Sequence, residues 1–136
     1  MLSGGQEPYC HAMITHIASA ILYVTDQDES LAFYRDVLGF EVITDADMGG
    51  GARWLEVRPA GAQTAIVLLA AAAFGRSPGE GANLTFASSD IATTIEVLHS
   101  RGAEVSEPVE EPWGTYATVV GPDDHRVQFN ERRKHI

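Results

Sequence analysis

Apolar and polar positions along this chain change period in a fixed order, and the order occurs twice. Ile17 to Val24 is an apolar run of strand type, closed by Thr25-Asp26-Gln27-Asp28. Leu31, Tyr34 and Leu38 then fall at helical spacing within Glu29 to Leu38. An Asp placed just before such a segment accepts hydrogen bonds from the free N–H groups of a first helical turn. Gly39 tolerates the left-handed conformation that ends many helices, and Phe40-Glu41-Val42-Ile43 begins a strand. The second half repeats the grammar. Asn83 to Ala87 is strand-like, Asp90 is the cap, and Ile91, Ile95 and Leu98 make one apolar helix face. Gly102 stops that helix before Ala103-Glu104-Val105, so the cap-to-glycine spacing (Asp26 to Gly39, Asp90 to Gly102) agrees within about one residue.

Each helix precedes three strand candidates. In the first half they are Phe40–Asp47, Ala52–Arg58 and Thr64–Leu69, separated by Gly49-Gly50-Gly51 and Pro59-Ala60-Gly61 as turn chemistry requires. In the second they are Glu104–Val109, Thr115–Val120 and Arg126–Asn130, with breaks at Pro112-Trp113-Gly114 and Gly121-Pro122-Asp123-Asp124. The pattern predicts βαβββ twice, an α+β fold whose curved mixed sheet has helices on one side and a ligand-sized hollow on the other. Residues 1–13 read as a flexible N-terminal tail. Residues 14–136 read as one domain, with module 1 spanning about 14–75 and module 2 about 81–131.

Charge narrows the partners. Nine basic against nineteen acidic residues leave a net charge of −10, which repels a phosphate backbone and argues against nucleic acid. The same charge would steer a cationic small molecule inward, although it also serves solubility. Cys10 is the only cysteine, so an internal disulfide is impossible and a reducing compartment fits. The longest apolar run, Ala65 to Phe74, is about half the length a membrane span needs. Met1 to Ala12 lacks the basic start and apolar stretch of a secretory signal. The expectation is a cytoplasmic protein without a membrane partner.

Tyr23-Val24-Thr25-Asp26, followed by the run from Ser30 through Tyr34-Arg35-Asp36 to Gly39-Phe40, resembles the opening signature of glyoxalase and bleomycin-resistance proteins. Arg53-Trp54-Leu55 with Pro59 is similar to the same group, and so is Pro112-Trp113-Gly114 leading to Gly121-Pro122-Asp123. Asp124-His125 departs from the usual Gly-Asn of that turn. The resemblance covers about Ile14 to Asn130 and implies the vicinal-oxygen-chelate (VOC) fold. It does not imply one activity, because the superfamily includes lyases, isomerases, epimerases, extradiol dioxygenases and non-catalytic antibiotic binders.

Enzymes of this superfamily hold a divalent metal with one His, Glu or Gln from each of four strands. Counted from Asp26, the four positions fall on Ser19, Leu68, Asn83 and Gln128. An aliphatic side chain cannot coordinate, and Ser and Asn are weak neutral ligands. Widening each position to Ile17–Ile21, Ile66–Ala70, Gly81–Thr85 and Arg126–Asn130 brings in no His, Asp, Glu or Cys. His16 and His125 lie an odd number of residues from Ser19 and Gln128, hence on the other face of a regular strand. The expectation is therefore no metal and no other cofactor, because no strand lining the hollow offers a carboxylate or imidazole.

Aromatic residues become the leading candidates for ligand contact. Trp113, at a loop break, suits a lid or stacking surface, and Tyr116 follows at a strand start. Trp54 reads equally as core or cavity wall, and Met48 is a soft contact if it reaches a ligand. Ser19, Tyr23, Leu68, Asn83, Thr85, Arg126 and Gln128 share the parity of the expected hollow. No residue is assigned a catalytic role. Cys10 beside His11 reads as part of the tail, and His99 as a surface residue on the second helix. The residues point to a metal-independent binder of an aromatic or cationic small molecule such as an antibiotic, and the resemblance implies a homodimer with pockets built between chains. A metal-dependent lyase, isomerase or extradiol dioxygenase is the alternative, and an accessory protein with a vestigial pocket a third.

Overall fold

The computed structural model describes residues 13–133; Cys10, His11 and most of the expected tail lie outside them. In chain order the elements are β1 (Ser19–Val24), α1 (Gln27–Ala32), β2 (Glu41–Gly49), β3 (Ala52–Arg58), β4 (Ala65–Ala70), β5 (Thr85–Ala87), α2 (Ile91–Ser100), β6 (Glu104–Val105), β7 (Val109–Glu111), β8 (Gly114–Val120) and β9 (Arg126–Arg132). Both expected caps form. The Asp26 carboxylate accepts from the N–H groups of Asp28 and Glu29, and that of Asp90 from Thr93 N–H. Pro108 divides the single strand expected over Glu104–Val109 into β6 and β7, since proline cannot donate to a ladder.

The strands form two mixed sheets, one per module, ordered β1-β4-β3-β2 and β5-β9-β8-β6, with β7 also paired to β8. In each, the first strand runs parallel to the last (Leu22 beside Leu68, Phe86 beside Phe129) and the rest are antiparallel. Leu22, Val24, Leu55, Val57, Ile66 and Leu68 form the helix-facing side of the first sheet, and Ala117, Val119, Val127 and Phe129 that of the second. These residues join Leu31, Phe33, Tyr34, Leu84, Ile91 and Leu98 in one hydrophobic cluster spanning both modules. β4 lies between β1 and β3, and its residues on the side away from the helices, Ala65, Val67 and Leu69, are also buried. That explains its uninterrupted apolar sequence, which a one-sided strand would alternate.

The first helix departs from simple periodicity. After Ala32 the chain widens into a π-helical turn, Phe33–Val37, closed by Leu38 N–H donating to the Phe33 carbonyl at 3.0 Å. Phe33 and Tyr34 enter the core side by side there, their rings 5.3 Å apart and nearly perpendicular. Gln27 is buried, and its amide donates to the carbonyls of Arg53 (2.8 Å) and Leu68 (2.7 Å), tying α1 to the first sheet. Arg53 lies on this helix-facing side, bonded to Asp28 at 2.7 Å and Asp45 at 2.8 Å. The Arg53 guanidinium holds the Asp45 carboxyl below its ordinary range, chiefly through their hydrogen bond.

Hydrogen bonds join the modules at several places, among them Arg101 donating to the Val37 carbonyl at 2.8 Å. Residues 79–82 run along the free edge of β1, where Tyr23 N–H donates to the Glu80 carbonyl (2.8 Å) and Ala82 N–H to that of Ile21 (2.9 Å). Gly81 must be glycine here: its φ is +122°, and a Cβ would meet the Ile21 carbonyl oxygen. The β8–β9 turn reaches back to module 1, and the Asp123 carboxylate accepts from Thr25 N–H (3.0 Å) and Thr25 Oγ1 (2.7 Å). Asp123 and Asp124 both adopt positive φ, a conformation that Asp tolerates better than most side chains. Asp124 belongs to the Asp124-His125 pair that departs from the Gly-Asn of the family signature.

Candidate ligand-binding site

The faces turned away from the helices are followed through the strand register, because residues paired across a ladder point to the same side. On the first sheet, Ile21, Val67, Glu56 and Thr44 form one row. Ser19, Tyr23 and Trp54 share this open face, whereas Met48 sits in a register shift between Asp47 and Gly49, where parity along β2 no longer fixes the side. On the second sheet Thr85, Gln128 and Thr118 form a row, flanked by Ala87, Asn130, Tyr116 and Val109. Arg126 shares that face near its end, in an exposed ion pair with Asp124 at 3.5 Å that contributes little. Asn83 precedes β5 with the parity of Thr85 and is exposed.

One expected site residue is on the wrong side. Leu68 has no exposed surface and packs in the helix-facing core opposite Leu22 and Leu55. Its neighbours Val67 and Leu69 face the open side instead. The one-residue error has a physical origin: β4 is apolar on both faces, so its sequence carries no alternation to set parity.

A second expectation also needs correcting. β3 places Glu56, half-buried, on the open face beside Val67. The first sheet therefore does offer a carboxylate, on a strand outside the four windows searched. Asn130 and Thr118 were also missed, although each follows from Gln128, the first by period two and the second as its cross-strand partner.

His125 turns away from the open face, as its odd spacing requires. Its Nε2 lies 3.2 Å from the Ala82 carbonyl, and its Nδ1 is buried without a protein partner. His99 is exposed on α2. Among the described residues no three His, Cys, Asp or Glu side chains converge into a group able to hold a metal ion. The donors facing the open side on these strands and the adjacent β3 are Ser19, Tyr23, Thr85, Gln128, Asn130 and Glu56, with aliphatic Val67 and Leu69 on β4. One carboxylate among neutral oxygens does not fit the three or four protein donors that a divalent site requires.

Two aromatic groups stand on these faces. Trp113, in the two-residue turn between β7 and β8, stacks on Tyr116 with ring centres 6.1 Å apart and planes 11° from parallel. The turn is held by Arg133, whose N–H donates to the Trp113 carbonyl and whose Nε donates to that of Pro112, each at 2.8 Å. Gly114 follows at φ +155°, where a Cβ would strike the Glu131 carbonyl. On the first sheet Tyr23 sits between Phe74 (6.1 Å) and the Arg76 guanidinium, 5.6 Å from the ring centre. Ile21, Met48, Phe74 and Val109 keep between 36% and 44% of their surface exposed around these groups.

The sequence-selected residues thus fall into two sets. Ser19, Tyr23, Trp54 and Met48 lie on one sheet, and Asn83, Thr85, Trp113, Tyr116, Arg126 and Gln128 on or beside the other. None of three cavities found among the described residues is lined by members of both sets. One of them, an open cleft at the β2–β3 hairpin, is lined by Asp45, Asp47 and Arg53 and no predicted site residue.

Two consecutive βαβββ modules, each with one helix-covered and one open sheet face, define an α+β protein of the glyoxalase fold. The chain belongs to the Glyoxalase/Bleomycin resistance protein/Dioxygenase superfamily, whose family model matches residues 13–129. It is 36% identical over 120 residues to the Bacillus subtilis (strain 168) protein YetH, covering 88% of this chain and all of YetH. Among solved structures it is similar to TnmS3, an antibiotic binding protein from Streptomyces sp. CB03234, with 31% identity and a TM-score of 0.79 over 90% of this chain and 100% of that one. A superfamily member from Sphaerobacter thermophilus DSM 20745 shares 30% identity and a TM-score of 0.80, over 89% of this chain and 100% of that one. No helix among the described residues is long and apolar enough to cross a membrane.

Proposed function

We propose that this protein binds a small aromatic or cationic molecule of the antibiotic kind and holds it unaltered, without a metal. The observation that carries this reading is the chemistry of the open faces: amide and hydroxyl groups in rows (Thr85, Gln128, Thr118, Asn130) beside stacked aromatic rings. Such surfaces recognise by hydrogen bonding and stacking. Glu56 supplies one negative charge for a cationic partner, and the net charge of −10 favours its approach. The likeness to TnmS3 supports the same class of ligand. Glu56 is also what favours the alternative, a metal-dependent lyase or dioxygenase, but it stands without the further carboxylate or imidazole donors that reading needs.

The active form is a cytoplasmic homodimer. The two candidate sets lie on different sheets with their apolar rims exposed, so the first-sheet face of one copy laid over the second-sheet face of another would enclose a pocket that one chain leaves open. Each face carries one tryptophan, which makes the reading directly testable. Titration with bleomycin-, mitomycin- and enediyne-type compounds is expected to quench Trp54 and Trp113 together, with dissociation constants on the order of micromolar. Replacing either tryptophan by Phe should remove part of the signal and leave the rest. No quenching by any compound in such a panel would overturn the binding reading. One tightly held Ni, Zn, Mn or Fe per protomer by elemental analysis would overturn the metal-free part.

A further inference from the structure

The internal repeat makes the molecule its own control. Aligned on the caps Asp26 and Asp90, Tyr34 of α1 corresponds to Leu98 of α2, Ser30 to Thr94, and Leu22 to Phe86. Each helix therefore packs at a junction where its module meets a turn of the other: Gly121–His125 for α1, and Pro59 for α2. At the first junction the aromatic rings of Phe33 and Tyr34 occupy the space, and the void left has a volume of about 10 Å³. At the second, leucine stands where tyrosine would be, and a hollow of about 310 Å³ remains.

That hollow lies on the helix-facing side, away from the open faces described above. Its floor is the buried core of the second sheet, Val119, Val127 and Phe129, at 5% exposure or less. Phe40 and Phe86, edge to face at 5.0 Å, form a wall, and no charged side chain lines it. An apolar cavity of about 150 Å³ is enough to hold benzene, so this one has room for a larger ring system.

The polar rim sets the orientation. Thr94 Oγ1 donates to the Asp90 carbonyl at 2.9 Å, which leaves the Ser88 hydroxyl to donate to Thr94 Oγ1, also at 2.9 Å. Ser88 Oγ in turn accepts from Asp90 N–H at 3.2 Å. Both hydroxyl hydrogens are committed, and each oxygen keeps one free lone pair. At Ser88 and Thr94 the rim therefore accepts hydrogen bonds and does not donate them.

We propose that this hollow is a second small-molecule site, for a neutral one- or two-ring aromatic bearing an N–H or O–H donor. The occupant takes the place that Tyr34 fills at the other junction and points its donor at Ser88 and Thr94. The inference does not rest on the open-face reading, and the two are separated by where a probe is felt.

Indole is the probe, titrated into the full chain with methyl NMR as readout. Saturable shifts are expected at Leu98, Val119 and Val127, with a dissociation constant on the order of 1 mM for so small a ligand. Methyls of Ile21, Val67 and Val109, on the open faces, should stay still. Leu98→Trp should fill the hollow, weaken indole at least about tenfold and remove the thermal stabilisation that indole gives the native protein. Leu98→Phe serves the same purpose should the larger ring prevent folding. Shifts confined to the open faces, no shift up to the solubility limit of indole, or unchanged affinity in the filled variant would each overturn the proposal.

Discussion

Module 1 is closed where module 2 is open. The two share a strand, an Asp cap, a helix and a glycine stop, yet α1 drives two aromatic rings into its junction through a widened helical turn, whereas α2 is regular and presents Leu98. Module 1 also receives the Asp123 carboxylate on Thr25, and among the described residues no such bond links Ser89, the corresponding residue, to the Pro59 turn. The difference teaches that the same order of elements can close or open a junction, according to the local helix geometry and the volume of the side chains it delivers. A helix–sheet junction is not intrinsically a pocket. It becomes one when a ring is exchanged for a branched chain.

The comparison can be broken most forcefully at Tyr34. Tyr34→Ala would open the first junction as the second is open, and loss of so large a buried side chain should cost about 3–5 kcal/mol in denaturant unfolding. A cost below about 1 kcal/mol would mean that the ring does not close the junction. Asp123→Ala removes both bonds to Thr25 and puts a less tolerant residue at positive φ. The expected loss is about 1–2 kcal/mol, and Asp123→Asn, which tolerates that φ, should lose less.

The smallest effect is the most discriminating. The Tyr34 hydroxyl is buried with no protein partner, and burial pushes its pKa up because the phenolate would be poorly solvated there. With His125 Nδ1, equally unpartnered, it lines a void on the order of one water molecule in size. Tyr34→Phe should therefore change stability by no more than about 1 kcal/mol in either direction. A larger loss would show that the hydroxyl, and not only the ring, holds the first junction together.

Most of the architecture was legible in the pattern of the chain. The caps Asp26 and Asp90, the glycine turns and the strand positions are local features, set by backbone hydrogen bonding and turn chemistry within a few residues. The open face of the second sheet was equally readable, because β9 alternates Arg126, Gln128 and Asn130 with buried Val127 and Phe129. Parity failed on β4, where both faces are apolar. It also failed to reveal Glu56, because β3 lies outside the strands that supply metal donors in relatives.

By itself the sequence determined the repeat and the α+β class, since both depend on residue type and short-range spacing. Tertiary structure alone decided which face Leu68 joins, that Glu56 stands beside Val67, and that the two candidate sets belong to separate sheets. It alone revealed the hollow under α2, because that space is bounded by Phe40, Pro59 and Phe86, residues distant along the chain. Volume between packed elements is a property of their distance and orientation, and no periodicity within one element encodes it.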